Sequence, residues 1–328
     1  MMNGLKDSYS ESMLMIALVN FSVKVDDAFR FVLLLLICSS IVSRITHNRG
    51  IVRIDVDMTL PDEATLDHLL VASNAFASGA SKILEELAPV KEIVRYKDAR
   101  ESDPVTNVDL KIEDYLKREI SREFPSHCII AEETDDQSIG CSDFVWVIDP
   151  LDGTKNLAAG LPLYAISIGL LYSGLPIIGS VLMPDSVMGH GLYSCRLGGG
   201  AYRNGERLPA LNDRENKVSG LSVVPAGFGQ LFTLIDHNTK SGGSSNGIFD
   251  GIRTMGSITS EMVLVARGIF GCGVFSGSHI WDVAAGILLI REAGGEVMIL
   301  EEDRWVEFSG FGTISQDDGV IDSQSLRK

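Results

Sequence analysis

The sequence is short of positive charge, of patterned cysteine and of long apolar runs, and each shortage excludes a class of protein. Its 328 residues carry 28 Lys and Arg against 44 Asp and Glu, a formal net charge of −16, with no basic cluster able to track a phosphate backbone. Nucleic acid is therefore excluded as the main partner. Five cysteines (Cys38, Cys128, Cys141, Cys195 and Cys272) show no C-x-x-C spacing, which argues against a zinc site or a disulfide scaffold and fits a reducing, cytoplasmic setting. The six histidines include no pair spaced as metal ligands. The longest apolar stretch, FVLLLLICSSIVS at 31–43, would reach only about 20 Å as a helix, short of the roughly 30 Å of a bilayer core. It lies behind Asp7, Glu11, Asp26 and Asp27, where a signal peptide would be short and basic. No membrane role is expected, and no repeat or low-complexity tract appears beyond a flexible loop, SGGSSNG, at 241–247.

What is present is the composition of a globular protein with a sizeable core, 45% hydrophobic and 22% charged. Residues 1–57 contain six Lys/Arg and six Asp/Glu, so the acidic excess belongs to the remainder. The composition changes at Met58, where TLPDEATLDHLL reads as the start of an amphipathic helix behind a Thr or Pro signal. Residues 1–57 are accordingly expected to form an N-terminal extension, so that a chain starting at Met58 would suffice. Helical periodicity covers 62–87 and 108–123. Strands follow in CIIAE, FVWVID, AISIGLLY, PIIGSVLMP and HGLYSC, with a hairpin signal at Asn204-Gly205. Later, SEMVLVARG and WDVAAGILLIREAGG read as helices, the second ending at Gly294-Gly295, and EVMIL as a strand. The expected fold is thus an α+β half at 58–215 followed by an α/β half at 216–328.

The chemistry gathers in WVIDPLDGTKNL, residues 146–157. A strand through Val145, Val147 and Ile148 places Asp149 at its C-terminal edge, and Pro150 forbids further ladder pairing, so the chain turns and returns Asp152 beside Asp149. Asp152-Gly153-Thr154 can open a short helix whose free N–H groups suit a phosphate oxygen. Two carboxylates so close resist joint ionisation unless a cation lies between them, and an all-oxygen ligand set favours Mg²⁺. Taken alone, the stretch is equally open to a plain reading in which Asp149 forms the turn and Asp152 caps the helix. Glu132-Glu133 after CIIA, and Asp282 in the first turn of the WDVAAG helix, add carboxylates that would each be unremarkable singly.

AEET, WVIDPLDGTKN and WDVAAG, in this order and spacing, resemble the signatures of the inositol monophosphatase family, part of a lithium-sensitive phosphatase superfamily. The resemblance runs from about Pro61 to Gly312. It implies a layered αβαβα sandwich, Mg²⁺-dependent hydrolysis of a small phosphorylated metabolite, two or three ions per site, and a homodimer. Position by position, Glu132, Asp149, the Leu151 carbonyl, Asp152 and Asp282 match the family's metal ligands. Gly153 and Thr154 match its phosphate-binding helix start. Asp109, in DPVTNVDLKIE, matches the acid that lies beside that threonine and helps activate the attacking water. Thr106-x-x-Asp109 is also a capping-box pattern, and both roles are compatible. Glu132 would share in catalysis, Lys97 falls where a lysine often stands near the metals, and Glu133 is expected behind the ligands. His279 is expected to be packed rather than catalytic. Phe275 occupies the position at which inositol-specific relatives carry a glutamate for the sugar hydroxyls, so a broad sugar and polyol phosphate range is expected. The alternatives are a 3′(2′),5′-bisphosphate nucleotidase or fructose-1,6-bisphosphatase-type activity, and a non-catalytic regulatory relative.

Overall fold

The computed structural model describes residues 13–19, 59–134, 142–184, 189–211, 221–223, 251–301 and 304–311. The loop at 241–247 and the apolar stretch at 31–43 lie outside them. The first long helix, α1 (Glu63–Leu87), begins where expected, but its cap is Asp62, whose carboxylate accepts the Thr65 N–H at 2.8 Å. α2 (Asn107–Glu123) starts on the anticipated capping box of Thr106 and Asp109 and buries the stripe Val108, Ile112, Leu116 and Ile120.

These helices cover one face of a seven-stranded sheet with the order β10-β9-β8-β7-β6-β5-β4. Its members are β4 (Cys128–Ala131), β5 (Phe144–Asp152), β6 (Ala165–Tyr172), β7 (Leu175–Met183), β8 (Gly191–Arg196), β9 (Gly200–Arg203) and β10 (Glu206–Arg207), while β2 (Ile93–Tyr96) and β3 (Pro104–Thr106) pair with each other in a separate ribbon. Asn204 and Gly205, at φ 52° and 81°, turn β9 into β10 as the Asn-Gly signal required. Alternation along β5 sorts its side chains: Trp146 and Ile148 pack with α1 and α2, whereas Val145 and Val147 pack on the opposite face against Ile280, Trp281 and Ala284.

Those last residues belong to α5 (Ile280–Glu292), which with α4 (Ile258–Ala266) forms a helical layer between this sheet and a second one. The small residues of the WDVAAG motif explain how closely α5 approaches. Gly169 and Gly179 are paired on β6 and β7, and a Cβ on either would stand 3.0 Å from Ala284 Cβ or 2.8 Å from the Ala285 carbonyl. α5 ends at Gly294, φ 88°, as its sequence predicted. The described elements thus stack as α, β, α and β layers, in agreement with the expected layered sandwich, and among them no helix is long and apolar enough to cross a membrane.

The second sheet has the order β12-β11-β13-β1-β14-β15, from β1 (Met13–Val19), β11 (Leu221–Val223), β12 (Gly251–Arg253), β13 (Cys272–Ser278), β14 (Gly295–Glu301) and β15 (Arg304–Glu307). β1 corrects the expected division at residue 57. Drawn from the supposed extension, it is an interior strand, antiparallel to β13 on one side and to β14 on the other. Periodicity within 1–57 could not reveal this, because the partners that satisfy the strand's backbone are at the other end of the sequence.

Candidate metal and phosphate site

The alternation that sends Val145 and Val147 toward α5 carries Asp149 to the same side, where it is 1% exposed. Its Oδ1 accepts the Leu151 N–H at 2.9 Å, closing the turn forced by Pro150, and the register against β6 shifts between Asp149 and Asp152. The shift returns Asp152 to the same pocket. Asp282 enters from the first turn of α5, its Oδ2 accepting the His279 N–H at 2.6 Å. Carboxylate oxygens of Asp149, Asp152 and Asp282 all lie within 4.8 Å of one another. β4 pairs in parallel with β5, Ala131 opposite Ile148, so Glu132 and Asp149 leave the sheet side by side. Placed so, the two carboxylates repel each other.

Electrostatically this is a frustrated cluster. Burial first, then the neighbouring charges of Glu132, Asp152 and Asp282, raise the Asp149 carboxyl well above its ordinary range. Asp282 is raised likewise by burial and then by Asp152. Asp152 is pushed up to about 6 by burial, although two donors from the second half of the chain, Ser257 Oγ at 2.8 Å and Thr259 N at 2.6 Å, stabilise its charged form. Hard oxygen donors held close against their mutual repulsion fit a divalent cation such as Mg²⁺.

Around this cluster stand the other expected residues. Thr154 opens α3 (Thr154–Ala159), and its hydroxyl lies 2.7 Å from Asp109 Oδ1 and 2.9 Å from the Leu151 carbonyl. One hydroxyl has one proton, so donation to Asp109 leaves the Leu151 carbonyl free to act as a ligand. The cap of α3 is Gly153, not Asp152 as the sequence suggested, because Asp152 is still the last residue of β5. Gly153 has φ 94°, and a Cβ there would come 2.7 Å from the Leu163 carbonyl. Lys97 Nζ contacts Glu132 Oε1 at 2.6 Å and Glu133 Oε1 at 2.7 Å. Burial works against the Lys97 charge, but Glu132 and Glu133 outweigh it and raise its pKa. Glu133 also receives Arg95, at 3.1 Å, and stands behind Glu132 as expected. His279 stacks on Trp281 with centroids 4.7 Å apart.

Phe275 is the exception. It is 1% exposed within the core of the second half, its ring lying over Gly273 two residues back on the same face of β13. It presents no surface to a substrate, and the expectation that it lines the pocket is corrected accordingly. Conversely, Ser257, Thr259 and Glu113 were not anticipated. The first two belong to a Ser-capped helix start, with Ser257 accepting the Ser260 N–H, a signal readable in GSITSE. Glu113 gave none.

The comparisons with known proteins agree with this geometry. Residues 65–325 match the model of the inositol monophosphatase family. A fructose-1,6-bisphosphatase/inositol-1-monophosphatase of Aquifex aeolicus is 31% identical over 236 residues, covering 72% of this chain and 86% of the relative. Among solved structures, an inositol monophosphatase of Thermotoga maritima superposes with TM-score 0.60 at 25% identity, covering 75% of this chain and 90% of that one. An inositol monophosphatase/NADP phosphatase complexed with Mg²⁺ and phosphate superposes with TM-score 0.58 at 25% identity, covering 70% and 83%. The chain belongs to the inositol monophosphatase family, and is therefore a hydrolase of phosphate monoesters.

Proposed function

We propose that the protein hydrolyses a small sugar or polyol phosphate with Mg²⁺ held by Glu132, Asp149, the Leu151 carbonyl, Asp152 and Asp282. The observation that carries this reading is the convergence of the three buried aspartates within 4.8 Å, joined by Glu132. When bound, the cation supplies charge for the phosphate oxygens and acidifies water. The rest is done by the chain. Thr154 receives the proton of the attacking water as it passes its own to Asp109, whose carboxyl burial holds above the ordinary range and so makes a better base. The N–H groups of Gly153 and Thr154, ahead of the first turn of α3, orient the phosphate. Ser257 and Thr259 fix Asp152, and Lys97 holds Glu132 and Glu133.

Two or three ions per site, a homodimer and a cytoplasmic setting follow from the family resemblance and the cysteine pattern, and complete the proposal. A broad substrate range is supported by the relative described as a fructose-1,6-bisphosphatase/inositol-1-monophosphatase, whose printed name spans two substrate classes. The solved relative described as an inositol monophosphatase/NADP phosphatase favours a second reading, hydrolysis of a nucleotide phosphate. Phosphate release from inositol, sugar and nucleotide monoesters, with Mg²⁺, with EDTA and with added Li⁺, tests both. Turnover that persists in EDTA would sink the metal reading, and strict preference for a nucleotide would replace the first substrate class with the second.

A further inference from the structure

α2 has an apolar buried stripe, yet it also buries two carboxylates one turn apart, Asp109 at 0% exposure and Glu113 at 2%. Burying an acid is unfavourable unless its oxygens are engaged. The catalytic proposal accounts for Asp109 through Thr154 but leaves Glu113 without a task.

Glu113 engages the two residues that directly follow Glu132. Its Oε2 accepts the Glu133 N–H at 2.8 Å, and its Oε1 accepts the Thr134 hydroxyl at 2.6 Å. Thr134 Oγ in turn accepts Lys117 Nζ at 2.9 Å. The segment held this way has left β4 and has no ladder to fix it. It is also pulled, because Lys97 draws the Glu132 carboxylate by a 2.6 Å contact while Asp149 and its neighbours repel it. Residues four apart on a helix stand about 5–6 Å from each other on the same face. One rigid helix therefore anchors the start of α3, at Thr154, through Asp109 and the segment that follows Glu132 through Glu113.

We propose that Glu113 is a positioning residue that sets the reach of Glu132 into the aspartate cluster, and so governs metal affinity rather than the chemical step. The inference rests on the metal reading above. It is tested by titrating Mn²⁺ into the full chain without substrate, followed by electron paramagnetic resonance, for wild type, Glu113→Ala, Glu113→Gln and Thr134→Val. Loss of a group that orients a metal ligand weakens binding by about tenfold to a hundredfold, and that is expected of Glu113→Ala. Glu113→Gln keeps an acceptor for the Glu133 N–H and should recover most of the affinity. In turnover assays Glu113→Ala should need more Mg²⁺ for half-maximal rate yet approach the wild-type kcat at saturation. Wild-type Mn²⁺ affinity in Glu113→Ala overturns the inference while the metal reading stands. A wild-type chain that binds no Mn²⁺ overturns both. If Glu113→Ala fails to fold, Thr134→Val decides: weakened binding supports the inference, and unchanged binding overturns it.

Discussion

Thr154 Oγ1 stands 2.7 Å from Asp109 Oδ1, joining the first residue of one helix to the first turn of another. The other Asp109 oxygen is already occupied by the Thr106 N–H at 3.0 Å and by the Thr106 hydroxyl. The pair can thus act as one proton-accepting unit. Thr154→Val and Asp109→Asn should each lower kcat by about two to four orders of magnitude, with Mn²⁺ affinity little changed. The double variant should be no worse than the poorer single one. Losses that multiply in the double variant would show that the two residues act separately.

The aspartate cluster links metal, pH and stability. Asp149 and Asp282 are raised, and Asp152 lies at about 6, all above their unfolded values. Without metal, the folded state takes up protons that the unfolded chain does not. Its advantage is fully present below the unfolded pKa, near about 4, and is lost as pH rises through the folded values. A saturating divalent cation restores stability at neutral pH, by about 2.7 kcal/mol at a hundredfold excess over Kd. Melting curves should therefore show a larger Mg²⁺-induced rise in Tm at pH 7.5 than at pH 5. Asp149→Asn should melt higher than wild type in EDTA, while losing at least about three orders of magnitude in turnover, or roughly 4 kcal/mol. A metal-free variant less stable than wild type would contradict the repulsion described for the cluster.

Phe275 gives a stability prediction where its sequence position had suggested a specificity one. Removing a fully buried phenyl ring costs about 3–5 kcal/mol, and Phe275→Glu adds an unpaired buried charge to that loss. Denaturant titration should find Phe275→Glu mostly unfolded and Phe275→Leu folded with activity retained. A stable Phe275→Glu protein with altered substrate preference would return this residue to the pocket.

Removal of residues 1–57 should destabilise the second half, because β13 and β14 would each lose a hydrogen-bonded neighbour. Since β13 leads directly into the turn that presents Asp282, metal affinity should fall with stability. A protein starting at Met58 that melts and binds Mn²⁺ as the full chain does would restore the original boundary.

What the sequence made legible was chemistry decided within a few residues. Pro150 forces the turn between Asp149 and Asp152, Thr106 and Asp109 cap their own helix, and Gly153 fits a backbone that tolerates no side chain. Illegible features depended on distant partners. A glutamate at 113 looks like any helical surface acid until the 132–134 loop is folded onto it. Counting back from Asp282 locates Phe275 along the chain but does not fix which face of β13 it takes. β1 could not be read at all, since seven apolar residues, MLMIALV, do not name their neighbours.

That strand also imposes an order of assembly. The seven-stranded sheet uses only residues between 128 and 207 and can close as soon as they leave the ribosome. The other sheet cannot, because β1, at Met13–Val19, emerges long before its partners β13 and β14, which start at Cys272 and Gly295. At about 5–20 residues per second, the wait is on the order of 10–50 s. Throughout it, an apolar strand has its backbone unpaired, the state most open to wrong association with other chains. Yield in the cell should thus depend on what shelters residues 13–19 during translation.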